Sequence, residues 1–403
     1  MFKALSSRPF AFLWSGQSIS RLGDQIYGLA MAWWILEKTG SAIAMSMVFV
    51  CSFLPTILFS LIGGVAVDRY SRLRVMLSSD LGRGLIVAVI ATLAALQWLE
   101  VWHIYIARVL FGIVDAFFQP AYAAAVPEIT PQHALPSANA LTELSEQATG
   151  VVGPALAAAI ILLGGTSMAL AFDALTFFIS AACLLMVRSP AVSSSASAPQ
   201  SSPSIVRDAR EGIVTVLRTP WLWILIALSA LFNVTINGPV GVALPFLIKD
   251  SFHADVSTLG LLSTMLSLGA VIGGLWMGRL ETIRRRGLVV CATFMTAGTM
   301  LLTLGYLSSA LVAALPVLIL GVSLTVNGLA WTNLLQERIP QELLGRVASI
   351  DYIGSAALLP AGLGLAGWAT EYAGASTVFV LGGAVTVGLV ILGFSHPEVQ
   401  RLD

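Results

Sequence analysis

The sequence predicts an all-α integral membrane protein with twelve transmembrane helices in two six-helix repeats. Three observations carry this prediction. The 403-residue chain is 57% hydrophobic and 10% charged, with a mean hydropathy of +0.88. A water-soluble chain carries about 25% charge, so this one has too little polar surface to face water and needs the bilayer as its solvent. Apolar windows of roughly 20 residues, enough for a ~30 Å hydrocarbon core, recur along the chain. Polar and Pro/Gly landmarks of the first half return about 210 residues later in the second.

Backbone groups inside a bilayer must bond to one another, so each window reads as a helix. The windows fall at 10–36, 42–67, 75–97, 103–126, 137–162, 167–187, 220–247, 257–278, 288–308, 310–336, 345–369 and 374–395. Between the sixth and seventh lies 188–219, with "SPAVSSSASAPQSSPS". That stretch is too rich in Ser, Ala and Pro to build a core and reads as a flexible cytoplasmic linker. It separates an N-terminal six-helix bundle (1–187) from a C-terminal one (220–403). With the N-terminus in the cytoplasm, 16 of the 21 Lys and Arg fall on cytoplasmic segments, and Lys38 and Lys249 on external loops. This is the bias that orients membrane proteins, and it puts both termini in the cytoplasm. The opening "MFKALSSRPFAFLWSGQ" has no small-residue cleavage site, so the first window reads as a retained span.

Other classes are excluded. The 21 basic and 21 acidic residues balance, which removes the case for nucleic-acid binding. Cys51, Cys183 and Cys291 lie far apart in apolar segments, without disulfide or metal spacing. No nucleophile constellation, metal-ligand cluster or phosphate-binding loop is present, so the expectation is a non-enzyme without cofactor or metal, driven by an ion gradient.

The internal echo is specific. "GGVAVDRYSRLR" (63–74) follows the second span and "GGLWMGRLETIRRR" (273–286) the eighth. "RPF" (8–10) and "TPW" (219–221) precede spans one and seven; "TPQHAL" (130–135) and "PQELLG" (340–345) precede spans five and eleven. Two parallel repeats are the arrangement in which a substrate site forms between halves near the membrane midplane.

These residues resemble the major facilitator superfamily over nearly the whole chain. "GGVAVDRYSRLR" is similar to its loop signature through Gly64, Asp68, Arg69, Arg72 and Arg74, departing at Ser71, where a glycine is usual; the second copy has Gly278 in place of Asp68. "RVLFG" (108–112) resembles the Arg-x-x-x-Gly motif of the fourth span. "GVVGP" (150–154) resembles the antiporter motif of the fifth, with Ala157 and Ala158 where Gly-Gly is usual. "WSGQSIS" (14–20), "EKTGSA" (37–42), "LPTILFSLIGGVAVDR" (54–69) and "QERIPQELLGRV" (336–347) are similar to bacterial macrolide efflux proteins and related drug and siderophore exporters. The resemblance implies a monomeric inner-membrane transporter that exports an amphiphilic small molecule by proton antiport through alternating access. A siderophore, lipid or nutrient transporter of the same fold, or a non-transporting sensor or scaffold, are the alternatives.

Charge at bilayer depth is unfavourable by about 2.5–3.5 kcal/mol on insertion scales and usually faces a cavity where it acts. Asp24 in "SRLGDQ" is therefore the expected protonation site or a substrate contact, with Arg21 on the same helix face as its partner. The resemblance implies a role in proton coupling for Arg108, as a neighbour of Asp24. Asp115 is a second proton carrier or the partner of Arg108. Glu143 and Glu146, a turn apart, either share a proton or stabilise the start of their helix; Glu146 is the deeper. Asp173 reads as structural. The resemblance further implies a cytoplasmic gate: Asp68 with Arg69 at the N-terminus of the eleventh span near Gly345 and Arg346, and Arg72 on an acid, with Glu128 the expected partner. Pro154 and Pro360 can bend their helices. Residue type alone nominates the substrate wall: Tyr27, Trp33, Trp34, Phe53, Phe117, Gln119, Tyr122, Asn233, Asn237, Asn327 and Trp331.

Overall fold

The computed structural model describes residues 2–187, 213–280, 286–340 and 358–395, together with positions 343, 345, 347, 348, 350, 351, 354 and 355. The side chain of Asp68, Arg346, the basic run 284–286 and most of the linker (188–212) lie outside the described residues.

Every regular element among the described residues is helical. The main ones are α1 (Arg8–Thr39), α2 (Ala42–Arg69), α3 (Arg72–Ala95), α4 (Val101–Ile129) and α5 (Leu135–Met186). They are followed by α6 (Pro220–Ser251), α7 (Val256–Gly278), α8 (Arg286–Tyr306), α9 (Ala310–Arg338), α10 (Leu359–Ala373) and α11 (Ala375–Phe394). Nine helices among the described residues are long and apolar enough to cross a membrane, which makes this a multi-pass membrane protein. The chain divides into two compact units: Met1–Ser193 with Asp255–Thr264, and Ser194–Ala254 with Met265–Asp403.

In the first unit, α5 is two helices joined at Gly165, whose φ of 74° and ψ of 177° interrupt the helical run. An L side chain rarely adopts that φ, so the reversal needs glycine. The packing of α1 gives the direction of each arm. Arg21 reaches Thr142 and Gln25 lies against Gly153, so the first arm runs parallel to α1. Gly16 abuts Ser180 and Cys183, whereas Gly23 abuts Asp173 and Thr176, so the second arm runs back. Pro154 lies inside the first arm, and the break between the two arms falls at Gly165, in the gap expected between the fifth and sixth spans. Pro360 occupies the first turn of α10, where a missing N–H costs nothing.

Backbones touch where small residues allow it. A Cβ on Gly63 or Gly112 would collide with the carbonyl oxygens of Ala116 and Ser52, which brings α2 and α4 into direct contact. In the second unit a Cβ on Gly273 or Gly321 would meet the carbonyls of Val322 and Leu266 across α7 and α9. Close approach of this kind substitutes for the hydrophobic force that lipid cannot supply. In α6, π-type turns (Asn233–Asn237, Pro239–Ala243, Leu247–Ser251) accompany Pro239 and Pro245, which lack amide donors.

Within the expected linker, residues 213–218 are helical, and Val216 is buried with Leu222, Ile226, Leu335, Ile339 and Val347.

Candidate functional site

Charge inside the first unit converges on one cavity of about 270 Å³, walled by α1 (Gln17, Ser20, Arg21, Asp24, Tyr27, Gly28), Arg83 of α3, and α4 (Arg108, Phe111, Asp115, Phe118, Gln119). Its back wall is a buried ion pair. Asp80 is 0% exposed and Arg83 3%, and Arg83 Nη2 donates to Asp80 Oδ1 at 2.5 Å. Ser180 Oγ and Gln17 Nε2 donate to Asp80 Oδ2 at 2.7 and 3.2 Å. A buried charge is tolerable only when paired and hydrogen-bonded in this way. The same guanidinium reaches Asp115 Oδ1 through Nη1 at 3.5 Å. It also lies 3.9 Å from the Phe118 ring centre and 4.9 Å from that of Phe177, a cation–π setting that partly replaces lost water. Arg83 thus connects a fixed carboxylate behind the wall to one on the cavity.

Several expected partnerships are replaced. Arg21 does not pair with Asp24: it donates to Thr142 O at 3.2 Å, stands 3.6 Å from Glu146 Oε2 and covers the Tyr122 ring. The first arm of α5 packs beside that face of α1, so a carboxylate from another helix wins over the near neighbour. Glu146 is therefore an ion-pair partner, and Glu143 accepts from Gln147 at 2.9 Å, so these two acids do not share a proton. Asp115 belongs to Arg83, with Gln119 donating to it at 3.4 Å, and not to Arg108. Arg108 has its guanidinium 5.0 Å from the Tyr27 ring centre, and its buried Nε has no hydrogen-bond partner. Asp24 makes no hydrogen bond or ion pair among the described residues, yet shares the cavity wall with Arg108. Asp173 is fully buried, with one oxygen taking Thr176 and the other unsatisfied.

At the cytoplasmic-loop motif, Arg72 Nη1 lies 2.9 Å from Glu128 Oε2 and 3.2 Å from Ala124 O. Arg69 is exposed, and so is Gly345, while Asp68 and Arg346 lie outside the described side chains.

The substrate-wall residues do not form one site. Tyr27 and Gln119 line the charged cavity, and Tyr122 OH bonds Thr142 Oγ1 at 3.2 Å. Trp34 lines a separate pocket with Lys38, Gln97 and Thr166. Trp33 is buried, Phe53 exposed and Phe117 partly buried. Asn327 is removed from the wall: its amide donates to Val290 O (3.1 Å) and Thr293 Oγ1 (2.9 Å), tying α9 to α8. Asn233 Nδ2 donates to Ser355 O, and Asn237 to Asn233, both at 2.8 Å. Trp331 Nε1 donates to Asp351 Oδ2 at 2.9 Å.

Asp80 and Arg83, at the back of the cavity, and Asp351, which holds Trp331, are residues that sequence reasoning did not single out. The signal was available for the first two: "SSDLGRG" places opposite charges three residues apart inside an apolar window, the same pattern that singled out Arg21 and Asp24.

The chain is 27% identical over 396 residues to "Macrolide efflux protein A" of Streptococcus pyogenes, covering 98% of this chain and 97% of that protein. It is 27% identical to "Multidrug efflux pump Tap" of Mycolicibacterium fortuitum, covering 94% of each. Its identity to "Enterobactin exporter EntS" of Escherichia coli O9:H4 (strain HS) is 28%, covering 85% of this chain and 83% of that one. Among solved structures, a bacterial homologue of the iron transporter ferroportin in an inward-facing state has the same fold, with a TM-score of 0.73 at 17% identity over 96% of this chain and 99% of the other. A profile of the Major Facilitator Superfamily matches residues 13–358 and, overlapping, 226–401, and the chain belongs to that superfamily.

Proposed function

We propose that this protein is a proton-coupled exporter of an amphiphilic small molecule, macrolide-like or another drug, working by alternating access in a bacterial inner membrane as a monomer. The observation that carries the reading is Asp24. It is an acid in the middle of α1, on the wall of a cavity, without an ion-pair partner among the described residues and with the partnerless Arg108 Nε across the same wall. Such a carboxyl can take and release a proton, and Arg108 and Arg83 offset the ionised form. Asp115 is the second carrier, held by Arg83. Relatives named as macrolide and multidrug exporters support the direction and substrate class.

Twelve spans in two repeats complete the proposal. Gly165 makes two spans of α5, and α1 counts as a span although Arg21 and Asp24 lower its hydropathy. Contacts recurring at a fixed offset support the repeat. The Tyr122–Thr142 hydrogen bond is matched by Trp331–Asp351, each residue 209 positions later, and the contact of Gly112 of α4 with α2 is matched by that of Gly321 of α9 with α7, also 209 later. The 63–74 loop is the cytoplasmic gate, with Arg72–Glu128 as one clasp and Asp68, Arg69, Gly345 and Arg346 as the other. Basic residues orient both termini to the cytoplasm.

The test is accumulation of a labelled macrolide in pump-deficient bacteria expressing the protein, with and without a protonophore. Low accumulation that rises when the gradient collapses is expected. Accumulation equal to an empty vector, with membrane expression verified, removes the macrolide reading. The relative named as an enterobactin exporter favours a siderophore as the second reading, tested by the same assay with a labelled siderophore.

A further inference from the structure

We propose that Asp351, with Trp331, Asn233 and Asn237, forms a subsite for the protonated amine of a cationic amphiphile. This deepens the export reading by naming the charge of the substrate, and it rests on that reading.

The cluster lies within the second unit. Trp331 of α9 donates its indole N–H to Asp351 Oδ2 at 2.9 Å, and Ser355 Oγ donates to Asp351 Oδ1 at 3.3 Å. Both carboxylate oxygens are therefore acceptors, and each donor fixes the group's orientation while leaving lone pairs open. Asn233 ties α6 to the same segment through Ser355 O, and its own Oδ1 holds Asn237. These two amides sit on the π-type turn Asn233–Asn237, a feature frequent at functional sites. Asn237 is exposed, so the cluster runs from a half-buried carboxylate to a surface that a ligand can reach.

Comparison with the first unit shows what is missing. Two hundred and nine positions earlier, Thr142 stands where Asp351 stands and Glu146 where Ser355 stands, and Arg21 supplies the cation for that site at 3.6 Å. In the second unit Asn233 makes the corresponding α6 contact, and it carries no charge. Asp351 forms no ion pair among the described residues, and the six predicted spans of this half contain one other Asp, Glu, Lys or Arg, Arg346. A carboxylate at membrane depth without a cation is costly. An ammonium beside it restores the balance, and the neighbouring indole face favours the same charge, whereas an anionic head would be repelled. Trp331 is also packed on the apolar cluster of Leu222, Ile226 and Leu335, which gives the apolar body of such a ligand a surface next to its head.

The test uses the purified full chain in lipid nanodiscs and two dansyl-labelled probes of equal chain length, one ending in a dimethylamine and one in an alcohol. Wild type should bind the amine about tenfold tighter than the alcohol, the effect of one charge-assisted contact. Asp351→Asn should remove that preference by weakening amine binding alone, and Asp351→Glu should restore most of it. The proposal is overturned if wild type does not discriminate, if Asp351→Asn keeps amine affinity within about twofold, or if the variant loses both probes alike, since the last is the mark of a merely structural residue. The wild-type comparison holds even if a variant misfolds. Amine selectivity at Asp351 without protonophore-sensitive efflux would contradict the export reading alone; efflux with no effect at Asp351 would contradict the subsite alone.

Discussion

The two units share contacts at a fixed offset and differ in the charge they carry there. In the first, intramembrane ionisable groups crowd together: Arg21, Asp24, Asp80, Arg83, Arg108, Asp115 and Asp173, with Arg83 paired to both Asp80 and Asp115 and Arg21 to Glu146. In the second, Asp351 stands nearly alone, held by an indole and a hydroxyl. Shared geometry, with helices in backbone contact at Gly112 and at Gly321, shows that the scaffold does not dictate charge. On the reading proposed above, the paired cluster carries protons and the lone acid takes its cation from the ligand.

The largest expected effect breaks the crowded half. Asp80→Ala leaves Arg83 buried without its main partner, at about 3–5 kcal/mol, and thermal unfolding in detergent should show a large loss of folded protein. Asp80→Asn combined with Arg83→Gln should recover much of it, because contacting residues are non-additive. Asp351→Asn, by contrast, should change stability by less than about 1 kcal/mol. If both halves lose equally, the contrast between them fails.

Next come the helix contacts. Gly112→Leu and Gly321→Leu each push two backbones apart, and overpacking of this kind costs about 1–3 kcal/mol. Equal losses in unfolding scans sharpen the case for a repeat, and a cost at one site only weakens it.

The smallest effect on stability belongs to Arg72→Gln. The Arg72–Glu128 pair is 38% and 23% exposed, so it contributes no more than about 1 kcal/mol. Efflux should nevertheless slow severalfold if the pair is a gate clasp. Unchanged turnover reduces Arg72 to a topology signal.

The all-helical membrane architecture was legible because it depends on composition and on windows of bilayer length, which local sequence carries in full. Arg72–Glu128 was legible because the two ends of adjacent spans constrain it. Pairings between distant helices were not. Arg21 had a near neighbour at Asp24, and nothing local announces that α5 places Glu146 closer. Asn327 was nominated because an amide avoids lipid, which is true, but a neighbouring helix satisfies it as well as a ligand does. The reversal at Gly165 was legible as the gap between the fifth and sixth windows, and its positive φ shows that a single glycine makes it.

The central claim is that Asp24 carries the exchanged proton, and proteoliposomes test it most directly. With a pH dye trapped inside and an outward macrolide gradient imposed, wild type should drive a macrolide-dependent pH change, and Asp24→Asn, at equal incorporation, should drive none. A pH change of wild-type size in Asp24→Asn would contradict the account.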